Sequence, residues 1–336
     1  MKPTDFARML TAYLSVDLPG QKNASPHTIQ SYRDTFKLLL TYCQSVRGLV
    51  IEKLSLHDID DQLIASFLEW LETERGNQIT TRNQRLACIH VFYRYLQIEE
   101  PVRIWAHQKI LAIPMKRAPR PIISHLMPEA LRLLLAQPDR ETRSGRRDAV
   151  MLAVLYDSGA RIQELLDLRV RDIRLEPPPL LTLTGKGNKS RQVPLMSPTA
   201  KLLAQYMSEW QLSRKERPDN PVFFNRCRQK MTRAGVAFIL NKYAAQVRPF
   251  CAGIPEHVTP HMLRHSKAMH LLQAGVNLIY IRDLMGHADI AKTEIYARTD
   301  TELKRKALEK AYPSLISDEL PDWTKDDALL SWLNQL

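Results

Sequence analysis

Cysteine is sparse: Cys43, Cys88, Cys227 and Cys251 lie far apart, and none belongs to a CxxC pair. That spacing excludes a zinc ribbon. A chain of 336 residues can bury a core without disulfides, so all four read as reduced thiols in a reducing compartment. No apolar run approaches the ~18 residues that a membrane span needs. The first ten residues carry Lys2, Asp5 and Arg8, which is not the pattern of a secretory signal. The cytosol is therefore the expected compartment. Internal repeats and low-complexity tracts are missing, which argues against solenoids and fibrous chains. So is the glycine-rich Walker loop of ATP-hydrolysing enzymes.

What is present is ordinary in amount and uneven in placement. Hydrophobic residues make up 44% and charged residues 25%, as in soluble globular chains. At roughly 150 residues per domain, the length predicts about two domains. Lys and Arg outnumber Asp and Glu by 48 to 36, a net charge of +12. The last 21 residues hold five acids (Asp318, Glu319, Asp322, Asp326 and Asp327) against Lys325, so residues 1–315 carry +16. A surplus of this size favours a polyanionic partner such as nucleic acid.

The first hundred residues read as helices. Ser25-Pro26 is a cap followed by a first-turn proline, and Ile29, Tyr32, Phe36, Leu39, Leu40 and Cys43 follow at steps of three and four. A second helix fits Asp61 to Arg75, with Ile64, Phe67, Leu68 and Leu71 inward. A third fits Ile79 to Gln97, with Leu86, Ile89, Phe92, Tyr93 and Leu96 inward. Thr80, Thr81, Arg82, Asn83 and Arg85 open that third helix, and they suit phosphate contacts or simply a solvated helix end. Between 101 and 124, Arg103, Lys109, Lys116, Arg117 and Arg120 appear without an acid, among four prolines that break any long helix. A boundary is expected here, with a helical domain over 1–110 and a basic linker over 111–124. Beyond it the chain is again helical, except for a hairpin. Leu180–Leu183 and Arg191–Leu195 are strand-like and flank the turn Gly185-Lys186-Gly187-Asn188-Lys189. The segment 226–233, with Arg226, Arg228, Lys230 and Arg233 and no acid, is a second basic patch that fits DNA or a solvated loop.

Several polar residues stand at structural joints. Arg161 follows Gly159 where one helix stops and the next begins. Lys186 sits at the hairpin tip. Thr259-Pro260 read as cap and first turn, placing His261 and Arg264 three apart on one helical face. His257, His261 and His265 recur in fours, but Pro260 leaves His257 outside the helix, so no metal site is expected. Gly286-His287 could be a plain helix cap, and Tyr296, nine residues beyond His287, a core residue.

Taken in order, Arg161, Lys186, His261-Met262-Leu263-Arg264, Gly286-His287 and Tyr296 resemble the tyrosine recombinase (phage integrase) family. Ala160–Asp172, the hairpin ending in Val193-Pro194-Leu195, and His261–His265 also look like that family's signature stretches. The resemblance is close from about Arg147 to Tyr312, looser over the N-terminal helices, and shows no departure at the six key positions. It implies a mainly α fold with a small β-hairpin or sheet in the catalytic domain (125–312), and a two-domain clamp on double-stranded DNA. It also implies a role for each matching residue. Tyr296 attacks a phosphodiester to give a 3′-phosphotyrosine and a free 5′-hydroxyl. His261 accepts or relays the phenolic proton, Arg161, Arg264 and His287 stabilise the transition state, and Lys186 protonates the leaving oxygen. The phosphotyrosine conserves the bond energy, so neither ATP nor a metal or other cofactor is expected. Four protomers and a Holliday junction are implied as well.

The expected DNA contacts are Thr80, Thr81, Arg82, Arg85, Lys116, Arg117, Arg120, Arg228, Lys230 and Arg233. The tail, 313–336, is acidic and then amphipathic: Leu329, Trp332, Leu333 and Leu336 form one stripe, suited to contact with a neighbouring protomer or with its own domain. The expected role is that of a mobile-element integrase or transposase, cytoplasmic and nucleoid-associated. The alternatives are a Xer-like resolvase of chromosome or plasmid dimers, a type IB topoisomerase, or a DNA-binding protein that has lost catalysis.

Overall fold

A computed structural model of the chain describes residues 2–119, 124–213, 215–287, 289–299, 305 and 331–335. It divides into two compact units, Met1–Pro121 and Ile122–Leu336.

The first unit is helical. α1 (Asp5–Ala12) widens into a π-wound stretch, Tyr13–Gln21, and α2 (Pro26–Ser45), α3 (Asp61–Thr73), α4 (Ile79–Glu99) and α5 (Ile104–Leu111) follow. Ser25 caps α2 by accepting the Thr28 amide, with Pro26 in the first turn. α3 ends two residues before Arg75, because Gly76 adopts φ +59° and the Asn77 amide reaches back to the Leu71 carbonyl. The inward residues expected for α3 and α4 are buried, joined by Phe6 and Tyr13 from the N-terminal stretch.

The basic segment after α4 departs from a free linker. The prolines leave room for α5, which packs on α4. Asn83 then clamps the following chain, donating to the Lys116 carbonyl at 2.7 Å and accepting its amide at 3.1 Å.

The second unit contains α6 (Pro128–Ala136), α7 (Arg143–Ser158), α8 (Ile162–Asp167), β1 (Ile173–Arg174), β2 (Leu180–Thr184) and β3 (Ser190–Pro194). After the strands come α9 (Ser197–Glu209), α10 (Arg233–Val247), α11 (Pro260–Gln273), α12 (Leu278–Met285) and α13 (Ala291–Thr299). The strands form an antiparallel sheet in the order β1-β2-β3, with Leu181 opposite Val193 and Leu183 opposite Arg191. β1 has two residues, too few to leave an alternating pattern in the sequence. Leu181, Leu183 and Val193 point into a core that includes Leu152, Leu155, Leu165, Leu240 and Leu263. A smaller cluster of Ala268, Met269, Ile281, Met285 and Tyr296 joins α11, α12 and α13. The chain is mostly helical with one small sheet among the described residues, the fold class expected from the sequence.

Candidate active site

The α7–α8 joint, the β2–β3 hairpin and the stretch from α12 into α13 line one cleft of about 740 Å³, through Arg161, Gly185, Lys189, Arg191, His287 and Lys292 among others, and α11 packs against α7, α12 and α13. Gly159 closes α7 at φ +57°, where a Cβ would come within 2.7 Å of the Met285 side chain. The chain turns at once into Arg161. Glu164, one turn later and 4% exposed, accepts the Arg161 amide at 2.9 Å and the Arg161 guanidinium at 2.7 Å. β3 supplies Arg191, whose fork grips both oxygens of the same carboxylate at 3.0 and 2.8 Å. Burial pushes the Glu164 carboxyl up, but the bonds from Arg191, the Arg161 amide and the Arg161 side chain outweigh it, and the net shift is downward.

α11 supplies the next group. Thr259 caps it by accepting the Met262 amide, with Pro260 in the first turn. Arg264 is 1% exposed, yet its guanidinium donates to the Gly159 carbonyl at 2.5 Å and to the Met285 carbonyl. It thus ties the ends of α7 and α12 together. Burial and the neighbouring charge of Arg161 lower its pKa to about 10, which leaves it a cation at neutral pH. Gly286 ends α12 at φ +61°, and its carbonyl accepts from Arg161 at 3.2 Å. A Cβ there would lie 2.8 Å from Arg191. Backbone carbonyls thus fix the Arg161 and Arg264 guanidinium groups, and Arg161 also shares the Glu164 carboxylate with Arg191.

His287 follows Gly286. Its Nδ1 pairs with the Thr293 hydroxyl at 2.9 Å, and its ring lies 6.5 Å from that of Tyr296, with 12° between the planes. Tyr296, on α13, is 1% exposed, and its hydroxyl is 2.8 Å from His265 Nδ1. His265 in turn packs edge-to-face against His261, with ring centroids 4.2 Å apart. Burial raises the Tyr296 pKa, against the opposing pull of Arg264 and Arg161. Burial first, and nearby positive charge second, lower His261 and bring both His265 and His287 down to about 4. At neutral pH the three imidazoles and the phenol are thus neutral, beside the guanidinium groups of Arg161, Arg191 and Arg264 and the Glu164 carboxylate.

Of the six residues singled out in the sequence, Arg161, His261, Arg264, His287 and Tyr296 come together here. Lys186 lies in the single 3-10 turn, Lys186–Asn188, between β2 and β3, and its side chain is outside the described residues. Glu164, Arg191, His265 and Thr293 were missed as site residues. Two of them had a signal in spacing: Glu164 stands three residues after Arg161, and His265 four after His261, each on a shared helical face.

The expected DNA contacts divide. Thr80, Arg117 and Arg228 are exposed, and Thr81 is half-buried. Arg82 needs correction. It is 5% exposed, sits 3.6 Å from Glu72 and donates to the Pro114 carbonyl at 3.1 Å, so it holds the chain after α5 instead of facing solvent. Its position explains this, because residue 82 shares the helical stripe of Leu86, Ile89 and Tyr93. Arg85 donates to the Ser31 carbonyl and the Thr35 hydroxyl. Lys116 pairs with Glu72, Lys230 with Asp167, and Arg233 with the Gln163 side chain. Arg120 and most of the tail fall outside the described residues; within the tail, Trp332 and Leu333 are exposed. Among the described residues, no three His, Cys, Asp or Glu side chains group as metal ligands, and no helix is long and apolar enough to cross a membrane.

Known proteins share this organisation. Residues 124–302 match the phage integrase family, and residues 10–100 match the phage integrase N-terminal SAM-like domain. The chain is 37% identical over 339 residues to a Sinorhizobium fredii protein named "Putative integrase/recombinase y4rC", covering 100% of this chain and 99% of that one. It is 28% identical over 306 residues to tyrosine recombinase XerC of Pelobacter propionicus, covering 90% of this chain and 94% of the relative. The fold superposes on the Tn1549 transposon integrase in complex with transposon right end DNA, at a TM-score of 0.69, 14% identity, and coverage of 90% of this chain and 98% of the other. It also superposes on XerH recombinase bound to its difH substrate, at a TM-score of 0.62, 24% identity, and coverage of 90% and 85%. The chain belongs to the phage integrase family, the tyrosine recombinases, enzymes that break and rejoin DNA at specific sites.

Proposed function

We propose that this protein is a mobile-element recombinase that cleaves double-stranded DNA through a 3′-phosphotyrosine on Tyr296. The observation that carries the chemistry is the convergence of Arg161, Arg264, His287 and Tyr296 from separate segments, with Arg161 and His287 lining a cleft and Arg264 and Tyr296 buried beside them. In this reading the scissile phosphate enters the cleft, and the two guanidinium groups face its non-bridging oxygens, where negative charge grows as the fifth bond to phosphorus forms. Each preorganised donor of this kind is worth roughly 3–4 kcal/mol, or about 10²–10³ in rate. His287 adds a neutral donor, and Lys186 protonates the departing 5′-oxygen. The buried Tyr296 hydroxyl must swing toward the phosphate, so cleavage includes a shift of α13. In this reading Thr80 and Arg117 of the first unit, and Arg228 and Arg233 of the second, contact the DNA backbone. Strand exchange proceeds through a Holliday junction in a four-protomer complex, and the amphipathic tail reaches a neighbouring protomer.

The mobile-element role draws on the match along the whole chain to the integrase/recombinase of Sinorhizobium fredii, whereas about a tenth of the chain falls outside the match to the XerC relative. The DNA flanking the gene tests that role: element-like ends support it, and their absence beside a chromosomal dimer-resolution site would favour the Xer reading. The chemistry is tested with a nicked suicide duplex carrying the recombination site. Wild-type protein should form a covalent adduct and strand-exchanged product, and Tyr296→Phe should bind the same DNA without forming either. An adduct that survives in Tyr296→Phe would move the nucleophile to Tyr280 or Tyr312.

A further inference from the structure

We propose that Asn241 is a positioning residue for the reaction: it fixes the chain that enters α11 and so sets where His261 stands. This rests on the reading above, with Tyr296 as nucleophile and His261, as its place in the family pattern implies, accepting or relaying the phenolic proton. The carrying observation is a three-bond clamp. The Asn241 side chain, half-buried on α10, donates to the Val258 carbonyl at 2.9 Å and accepts the Val258 amide at 3.0 Å. Its second N–H donates to the Ala237 carbonyl, one turn back on its own helix, at 2.9 Å. The side-chain amide thus spends both hydrogens and its oxygen. Turned over, it would set N–H against N–H and oxygen against oxygen, so Val258 itself dictates the orientation.

Val258 needs this partner. It is fully buried, lies outside any helix or strand, and has no backbone partner among the described residues. A buried N–H and C=O left unpaired are costly, so Asn241 supplies what a neighbouring strand would. Arg248, the residue that follows α10, holds the chain just ahead by donating to the Pro255 and Glu256 carbonyls at 3.2 and 2.6 Å. Directly after Val258 come the Thr259 cap, Pro260 and His261. The His261 side chain has no hydrogen bond among the described residues, and its ring leans on His265. Its placement therefore follows from where α11 starts. Arg264, one turn deeper, has its own anchors in the Gly159 and Met285 carbonyls, so it depends less on the clamp. At its other end α10 is tied to α8 by Arg233, whose Nε donates to the Gln163 side chain at 2.8 Å. α10 is thus a splint between the segment that holds Arg161 and the one that holds His261.

The test uses the full-length protein on the suicide duplex. It reads the single-turnover rate of adduct formation at saturating DNA, together with the DNA concentration that gives half that rate. Asn241→Ala should cut the rate about 10–10²-fold, the scale of a displacement of about 1 Å at a reacting group, and leave the half-saturating concentration within threefold of wild type. A double-mutant cycle separates positioning from a general loss of structure. In a His261→Ala background, Asn241→Ala should cost less than a further threefold, because the residue it places is gone. In a Lys186→Ala background its full loss should recur. An unchanged rate, weaker DNA binding in place of slower cleavage, or losses that multiply in both backgrounds would overturn the proposal. A His261→Ala protein that cleaves like wild type would overturn it together with the role of His261, and an adduct in Tyr296→Phe would overturn the nucleophile beneath both. Should Asn241→Ala fail to fold, Asn241→Asp carries the same cycle: it keeps the shape and the bond from the Val258 amide, but sets a carboxylate oxygen against the Val258 carbonyl.

Discussion

Glu164 offers the sharpest test of how the site is built. Its carboxylate is 4% exposed and accepts four hydrogen bonds: the Arg161 amide, the Arg161 guanidinium, and both arms of Arg191. Bonds to charged groups contribute roughly 1.5–3 kcal/mol each, and much of that sum is offset by removing the carboxylate from water. Removing one partner of a buried pair exposes the imbalance at about 3–5 kcal/mol. The Arg161 side chain is 41% exposed, so water compensates it after the loss, whereas the Arg191 side chain is 14% exposed and keeps its Nε bond to the Leu284 carbonyl while both its other arms lose their acceptor. Glu164→Ala should therefore destabilise the second unit by about 3 kcal/mol, near the lower end of that range. Adduct formation should fall about 10²-fold beyond any unfolding, because Arg161 loses the anchor that aims it. Glu164→Gln should lie between the two proteins, since the amide keeps the shape but can accept at a single oxygen. Urea denaturation and single-turnover cleavage below the denaturation midpoint measure the two effects. A Glu164→Ala protein within 1 kcal/mol of wild type, with a cleavage rate within threefold, would mean that the shared carboxylate neither holds the fold nor positions Arg161.

Other outcomes follow from the same geometry. Lys186→Ala should slow cleavage of an ordinary phosphodiester by about 10²–10⁴-fold, yet cut a substrate with a 5′-bridging sulfur near the wild-type rate; equal damage on both would assign Lys186 to phosphate binding. Acid should weaken the second unit in a defined window. His265 and His287 sit near 4 when folded and near their ordinary value, about 6.5, when unfolded, so the unfolded chain takes up protons first. Stability should be full above about pH 6.5 and decline toward pH 4, by up to about 3 kcal/mol for each histidine. A melting temperature flat across that range would contradict the neutral cluster. Deleting residues 320–336 should leave binding to a single site intact but weaken assembly on paired sites; normal assembly and recombination would refute a tail that docks on a neighbour.

Local chemistry is what the sequence determined. Ser25-Pro26 and Thr259-Pro260 start helices because a side-chain oxygen and a preset φ satisfy the first turn whatever surrounds it. The apolar stripes of α3 and α4 found their own core, since a helix that alternates in this way must cover that face. The order of Arg161, His261, Arg264, His287 and Tyr296 along the chain points to the chemistry by itself. Tertiary structure decided what depends on which surfaces meet. Arg82 looked like a phosphate contact beside Thr80 and Thr81, but Glu72 and the Pro114 carbonyl, from separate parts of the chain, draw it inward. The basic segment looked free until Asn83 fixed Lys116 to α4. His265 and His261 stand one helical turn apart and are chemically alike in sequence. Only the packing of α13 on α11, which buries Tyr296, sets one of them against the phenol and leaves the other at the solvent edge.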